Sequence, residues 1–193
     1  MERDYQPLPI HELGTGAGFH RPTQSQAARV GLESPALLVM TDLTRASPAT
    51  IRPQAPLAGA NQFMITRGVR LLLVVDDHEK VLGVITATDL VGERPIQVAV
   101  ARGLRRDELA VADVMTEAAQ VDMLSLADVE SARVGHVLET LRQSGRQHAL
   151  VVDAGGLVRG IFSVSQIARQ LGVALPAGGE VARTFSQIEA AIR

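Results

Sequence analysis

GVRLLLVVDDHEKVLGVITATDL at residues 68–90 and GRQHALVVDAGGLVRGIFSVSQI at residues 145–167 align without a gap, at an offset of 77. Upstream, Val39-Met40-Thr41-Asp42 is echoed by Val114-Met115-Thr116-Glu117 at an offset of 75, so the second copy gains two residues between its start and its middle. Repetition at this scale dictates how the core is built, because each copy must present the same apolar surfaces to something. The chain is one small unit written twice.

Working outward from the repeat, each copy reads as the same succession of elements. Ala49-Thr50-Ile51-Arg52 is a short β-type run ended by Pro53. Pro56 stands where a helix can begin, Leu57, Ala60, Phe63 and Met64 fall along one face, and Gly68 closes the helix. Leu71 to Val75 is an apolar run of strand length, Asp76 to Lys80 a polar turn and Val81 to Ile85 a second strand, so the pair predicts a hairpin. A helix follows from Ala87 to Gly92. The second copy repeats the order with a β-type segment near Val121, a helix from Val134 to Ser144, strands at 148–152 and 158–162, and a helix from Val164 to Leu171. The predicted unit is β-α-β-β-α, an α/β fold. So small a unit buries too little surface to be secure alone, and strands this apolar require cover on both faces, so the two copies are expected to pack on each other.

Composition narrows the function classes. At 193 residues, 46% hydrophobic and 21% charged, the chain is globular. Aromatics at 3% leave few stacking platforms for single-stranded nucleic acid, and a net charge of −2 provides no footprint for a phosphate backbone. The absence of cysteine removes disulfides, thiolate zinc sites and a cysteine nucleophile together. No signal peptide or membrane-spanning run is legible, so a cytoplasmic protein without membrane or nucleic-acid partners is expected. The five histidines and the scattered acids show no metal-ligand spacing, and no nucleophile or acid/base constellation points to an enzyme.

The combination of two β-α-β-β-α units, each opened by Val-Met-Thr, with a Leu-Val-Val-Asp strand and turn and then Gly-x-Ile-Thr-x-x-Asp, resembles the tandem cystathionine-β-synthase (CBS) domain pair, the Bateman module. The resemblance covers about residues 38–172. It implies two repeats packed about a pseudo-two-fold axis, divided here as an N-terminal arm (1–37), a first repeat (38–110), a second repeat (111–173) and a C-terminal helical tail (174–193). It further implies a regulatory role without catalysis: an adenosine-type ligand bound in clefts between the repeats, a homodimer built on the helices near 57–67 and 134–144, and a separate, unidentified regulated protein. With 38 residues before Val39 and 21 after Gly172, no regulated domain is expected within the chain. No cofactor is required on this reading. AMP, ADP or ATP are the expected ligands, ahead of S-adenosylmethionine or NADH, and a ligand-free dimerisation or scaffold module is the alternative.

The candidate site lies where strand turns into helix. At Thr86-Ala87-Thr88-Asp89 the first helical N–H groups lack intrahelical acceptors and can hold a phosphate, with a threonine hydroxyl as a further donor and the Asp89 carboxylate as acceptor for a ribose diol. The same spacing is also a helix capping box, as is Ser163-x-x-Gln166. The resemblance favours binding at Thr86, Thr88 and Asp89, since the matching positions of CBS pairs contact phosphate and ribose. It also brings Thr50 and Ile51 to an adenine edge, where a plain buried strand is the other reading. Arg70, just before the second strand, has the reach and charge for phosphate oxygens, and a solvated surface arginine is the other reading. Gln166 in place of an acid, with Ser163 and His148, marks a weaker second site; the segment Gln120–Val129 lacks the Thr-Ile-x-Pro of the first copy, so unequal sites are expected.

Two lookalikes are set aside. Gly14-Thr15-Gly16-Ala17-Gly18 has neither a preceding strand nor a following Gly-Lys-Ser/Thr, so it reads as linker within an irregular proline-rich arm. Asp76-Asp77 suggests the acidic pocket of a phospho-receiver, yet the only lysine, Lys80, lies in the same turn, so a solvated hairpin turn is expected. In the tail, Val181, Phe185, Ile188 and Ile192 share one face of a helix over about 180–192 that is too short to stand uncovered. Packing on its own module is the expected cover, and docking to a second subunit or partner is the alternative.

Overall fold

The computed structural model describes residues 30–173, 185–188 and 190. In chain order the elements are β1 (Thr41–Asp42), β2 (Thr50–Ile51), α1 (Leu57–Arg67), β3 (Leu71–Val75), β4 (Val81–Thr86), α2 (Ala87–Val91), α3 (Arg94–Arg102), α4 (Val111–Val114), β5 (Thr116–Glu117), β6 (Met123–Ser125), α5 (Leu126–Ser131), α6 (Val134–Ser144), β7 (His148–Val152), β8 (Val158–Ser163) and α7 (Val164–Gln170). They form two four-stranded sheets, ordered β2-β3-β4-β5 and β6-β7-β8-β1. In both, a parallel pair is followed by the expected antiparallel hairpin, irregular at the same place, Val74/Val75 and Val151/Val152. Two glycines in the left-handed conformation, Gly68 (φ 64°) and Gly145 (φ 65°), end α1 and α6 at equivalent positions, where a side chain would be strained.

Strand alternation explains why β3 is buried from end to end. Leu72, Val74 and Ile85 face the core of the first repeat with Leu57, Ala60 and Met64 of α1, whereas Leu71, Leu73, Val75 and Val84 enter a separate cluster with Leu150 of β7, flanked by Val158 and Ile161 of β8. One face of each sheet meets its own helices and the other meets the opposite sheet. The copies therefore pack on each other through their hairpins, as expected.

The outer strand of each sheet is exchanged between the repeats. Thr41-Asp42, which opens the first copy, pairs antiparallel with Ile161 and Gly160 of the second, while Thr116-Glu117, which opens the second, pairs with Val84 and Gly83 of the first. The crossing strands need close approach. A Cβ at Gly83 would overlap the backbone of Thr116 and Glu117, and one at Gly160 would overlap the Met40 side chain. This is the physical reason for the glycine in the Gly-x-Ile-Thr pattern.

Other expectations need correction. Thr50 pairs with Leu73 and Met123 with Leu150, so the counterpart of the first β-type run is Met123–Ser125 rather than a segment at Val121. The net gain of two residues in the second copy combines two lost before this strand with four gained after it, the latter forming α5. Helices α3 and α4 were not foreseen either: Pro95 lies in the first turn of α3, where its missing N–H costs nothing. The apolar faces of α1 and α6 are not available for a dimer contact. Leu57, Ala60 and Met64 of α1 and Val134, Val137, Leu138 and Leu141 of α6 are buried in their own repeats. The outward side of α6 carries Glu139, Arg142 and Gln143, joined by hydrogen bonds.

The ends attach to the second repeat. Gly135 N–H donates to the carbonyl of Leu32 and Val134 N–H to that of Ser34, and Ala36 and Val39 are fully buried. Residues 185–188 are helical, with Phe185 and Ile188 buried in the second-repeat core, the self-packing expected of the tail. Val181, Ile192 and the Gly14–Gly18 stretch lie outside the described residues. Asp76 is a turn former: its Oδ1 accepts from the N–H groups of His78 and Lys80, the latter bond doing most to hold the carboxyl below its ordinary pKa. No helix among the described residues is long and apolar enough to cross a membrane.

Candidate functional site

Exchange of the outer strands creates two clefts between the repeats, related by the internal pseudo-symmetry. Each joins the strand-to-helix junction of one repeat to the start of the hairpin of the other. Cleft one, about 170 Å³, is lined by Thr86, Thr88 and Asp89 of the first repeat and by Thr116, Asp122, Arg146 and Gln147 of the second. Cleft two, about 480 Å³, is lined by Ser163, Ser165, Gln166 and Arg169 of the second repeat and by Thr41, the 46–49 loop, Arg67 and Arg70 of the first. Leu71 and its counterpart His148 line both, forming the wall between them.

In cleft one the capping box is complete. Asp89 N–H donates to Thr86 Oγ1 at 3.3 Å, while Asp89 Oδ2 accepts from Thr86 N–H at 2.8 Å and from the Thr86 hydroxyl at 2.7 Å. Such a box is worth about 1 kcal/mol to a helix start, and here it leaves Asp89 Oδ1 without a hydrogen bond among the described residues. Two contacts narrow the cleft: Thr88 Oγ1 donates to Gln147 Oε1 at 3.5 Å, and Arg146 forms an ion pair with Asp122 at 3.4 Å.

Cleft two departs from that pattern at each equivalent position. The second capping box does not form. Ser163 Oγ shares a hydrogen bond of 3.0 Å with Ser165 Oγ, and Gln166 Oε1 accepts from the Thr41 hydroxyl at 3.0 Å. The extra methylene of glutamine, relative to aspartate, carries its amide across to β1 instead of back to the helix start. Val69 and Arg70 stand where cleft one has Arg146 and Gln147, so neither bridging contact has a counterpart and the cleft stays open.

His148 occupies the slot that Leu71 fills in the first repeat. Its Nδ1 is sealed from solvent and has no hydrogen-bond partner among the described residues. Burial lowers its pKa to about 4, and the positive charge of Arg70 acts in the same direction. Asp42, in the strand that borders cleft two, is held at about 2 by hydrogen bonds first from the Thr44 hydroxyl and then from Arg159.

The residues singled out in the sequence are thus divided. Thr86, Thr88 and Asp89 come together in cleft one. Arg70 does not join them: it lies in cleft two with Ser163 and Gln166, and His148 faces both. Thr50 and Ile51 line neither cleft; Thr50 is exposed and Ile51 packs beside the first-repeat core. The cleft that holds Gln166 is the larger of the two. Missed by the sequence reading were Thr41 and Thr116, although the Val-Met-Thr echo marks both, and Arg67 and Arg169. No cluster of metal-ligating side chains occurs among the described residues.

A family model for the CBS domain matches residues 39–95 and 111–172. The fold is similar to that of an uncharacterised conserved protein from Pyrococcus horikoshii, at a TM-score of 0.56 and 21% identity, covering 77% of this chain and 100% of that one. It is similar also to CBSX2 in complex with AMP, at a TM-score of 0.52 and 20% identity over 70% of this chain and 94% of that one, a CBS-pair protein from Arabidopsis thaliana. A CBS-domain-containing protein from Agrobacterium tumefaciens aligns at a TM-score of 0.52 and 19% identity over 66% of this chain and 88% of that one. No curated protein matches the sequence. At these identities the likenesses establish the fold.

Proposed function

Because this chain belongs to the CBS-domain family and carries both members of a pair, we propose that it is a regulatory, non-catalytic module that binds an adenine nucleotide or related adenosyl ligand between its repeats and signals occupancy to a partner protein. The observation that carries this reading is the pair of inter-repeat clefts, lined by hydroxyl and cationic side chains and walled by strands of both repeats. At about 480 Å³ cleft two falls within the range of small-molecule sites, about 300–1,000 Å³, whereas cleft one falls below it. The AMP complex of CBSX2 supports the choice of ligand class. A ligand in either cleft touches both repeats, so its binding energy acts on their mutual packing, which is the physical basis for transmitting occupancy.

Thermal unfolding of the full chain against AMP, ADP, ATP, S-adenosylmethionine and NADH tests the reading. A true ligand at a hundred times its Kd adds about 2.7 kcal/mol to stability and raises the melting temperature accordingly. A second reading, a ligand-free scaffold, draws on the closed capping box at Thr86 and Asp89, which already engages the Thr86 hydroxyl and one oxygen of Asp89. An unchanged melting temperature across the whole panel favours that scaffold and sinks the sensor.

The sensor reading includes self-association in the cytoplasm. With the apolar faces of α1 and α6 buried, a two-fold contact built on α1 would use the residues it still exposes, Ile65 at 64% exposure among them. Sedimentation at micromolar concentration is expected to give a dimer, and Ile65→Glu to shift it toward monomer. A wild-type monomer removes the dimer from the proposal.

A further inference from the structure

Charge separates the two clefts more sharply than volume does. The lining of cleft two carries Arg67, Arg70 and Arg169 and, among the described residues, no carboxylate. Cleft one carries Asp89 and Asp122, and its single arginine, Arg146, is neutralised by Asp122. The difference arises at equivalent places in the repeat, since Arg70 answers to Gln147 and Gln166 to Asp89. Arg70 is exposed and makes no hydrogen bond or ion pair to a described residue, so its guanidinium carries its full bidentate capacity into the cleft. Arg169, from the opposite repeat, uses only Nε, on the carbonyl of Ser165. The wall shared by the two clefts holds the buried Nδ1 of His148, a polar atom with no partner among the described residues.

Two arginines from different repeats, without an acid among the described lining residues to neutralise them, suit an anion that can reach both repeats at once. A single phosphate can occupy one guanidinium fork; a chain of phosphates can span the cleft. We infer that cleft two is the receptor for a nucleoside di- or triphosphate, its phosphate chain held between Arg70 and Arg169, and that cleft one does not accept a polyphosphate. The inference rests on the adenosyl-sensor reading and adds to it the cleft, the charge class and the residues that select it.

Calorimetric titration of the full chain with AMP, ADP, ATP and inorganic tripolyphosphate, at one ionic strength and without magnesium, tests it. ADP and ATP are expected to bind at least about tenfold more tightly than AMP, and Arg70→Gln, which installs the residue of cleft one, to weaken ATP by about tenfold or more while changing AMP far less. Arg169→Gln should behave likewise. Arg105→Gln, an exposed arginine paired with Asp107 at 2.9 Å outside both clefts, controls for the loss of one positive charge and should leave ATP binding within about twofold. AMP binding as tightly as ATP, or ATP indifferent to both cleft arginines, overturns the inference while leaving the adenosyl sensor intact. Tripolyphosphate binding that depends on Arg70, with no nucleotide bound, keeps cleft two as a polyanion site and overturns the nucleotide there. No binding by any of the four overturns the inference, and the sensor falls with it only if S-adenosylmethionine and NADH also leave the melting temperature unchanged.

Discussion

Gly83→Ala is expected to destabilise the protein by about 3 kcal/mol or more, whereas Gly160→Ala, the same substitution at the equivalent place in the other repeat, should cost about 1 kcal/mol. Both glycines lie beneath an exchanged strand, and neither has a positive φ, so the backbone is not the source of the difference. What differs is the neighbour. The added methyl at residue 83 meets the backbone of β5 at Thr116 and Glu117, which is hydrogen-bonded to β4 and cannot yield without breaking the sheet. At residue 160 it meets the Met40 side chain from Cγ to Cε, an unbranched group that can change rotamer where the backbone of β5 cannot. The entropic gain of replacing glycine by alanine in the unfolded chain is common to both variants and cancels. Urea midpoints at constant m-value give the comparison. Equal losses, or a larger loss at Gly160, would mean that the rigidity of the neighbour met by the added methyl does not set the cost.

The prediction also marks where sequence reading stops. Hairpins, helix ends and the burial of both sheet faces were legible because they depend on local pattern: the apolar runs Leu71–Val75 and Ala149–Val151, the terminal Gly68 and Gly145, and a unit too small to stand alone. The exchange of β1 and β5 was not, because two-residue strands carry no period, and nothing in Thr41-Asp42 says that its partner lies some 120 residues away at Gly160 and Ile161. The division of the site was illegible for a related reason. Arg70 and Thr86 are backbone neighbours in the first-repeat hairpin, the Arg70 carbonyl accepting from Ala87 N–H, but the packing of the repeats sets the hairpin start of one against the strand-to-helix junction of the other, so the two residues line different clefts. Thr86, Asp89 and Arg70 were singled out one by one, and their distribution over two clefts was not. The failed second capping box has the same origin, since Gln166 finds Thr41 only because β1 lies against β8.

Acid should expose the one histidine that the repeat does not need. His148 titrates at about 4 in the folded chain, against an ordinary value of 6.5, because burial penalises its charged form and Arg70 repels it. Between these two values the unfolded chain holds more protons than the folded one. Stability therefore rises with pH through the window, is fully present above about pH 6.5 and is progressively lost as pH falls toward 4, by about 2–3 kcal/mol in all. The carboxylates with the largest depressions, Asp42 and Glu139, stand at about 2 in the folded protein and weaken it only below their ordinary values near 4. Their loss begins where that of His148 is complete. His148→Leu restores the residue type that the first repeat has at Leu71 and removes both the titrating ring and the unpartnered Nδ1. The variant should match or exceed wild type in stability at pH 7 and lose little between pH 6.5 and 4, while wild type falls. Denaturant unfolding at half-unit steps of pH reads the two slopes directly. If they run parallel, the acid sensitivity lies elsewhere and His148 is not the buried neutral group of the inter-repeat wall.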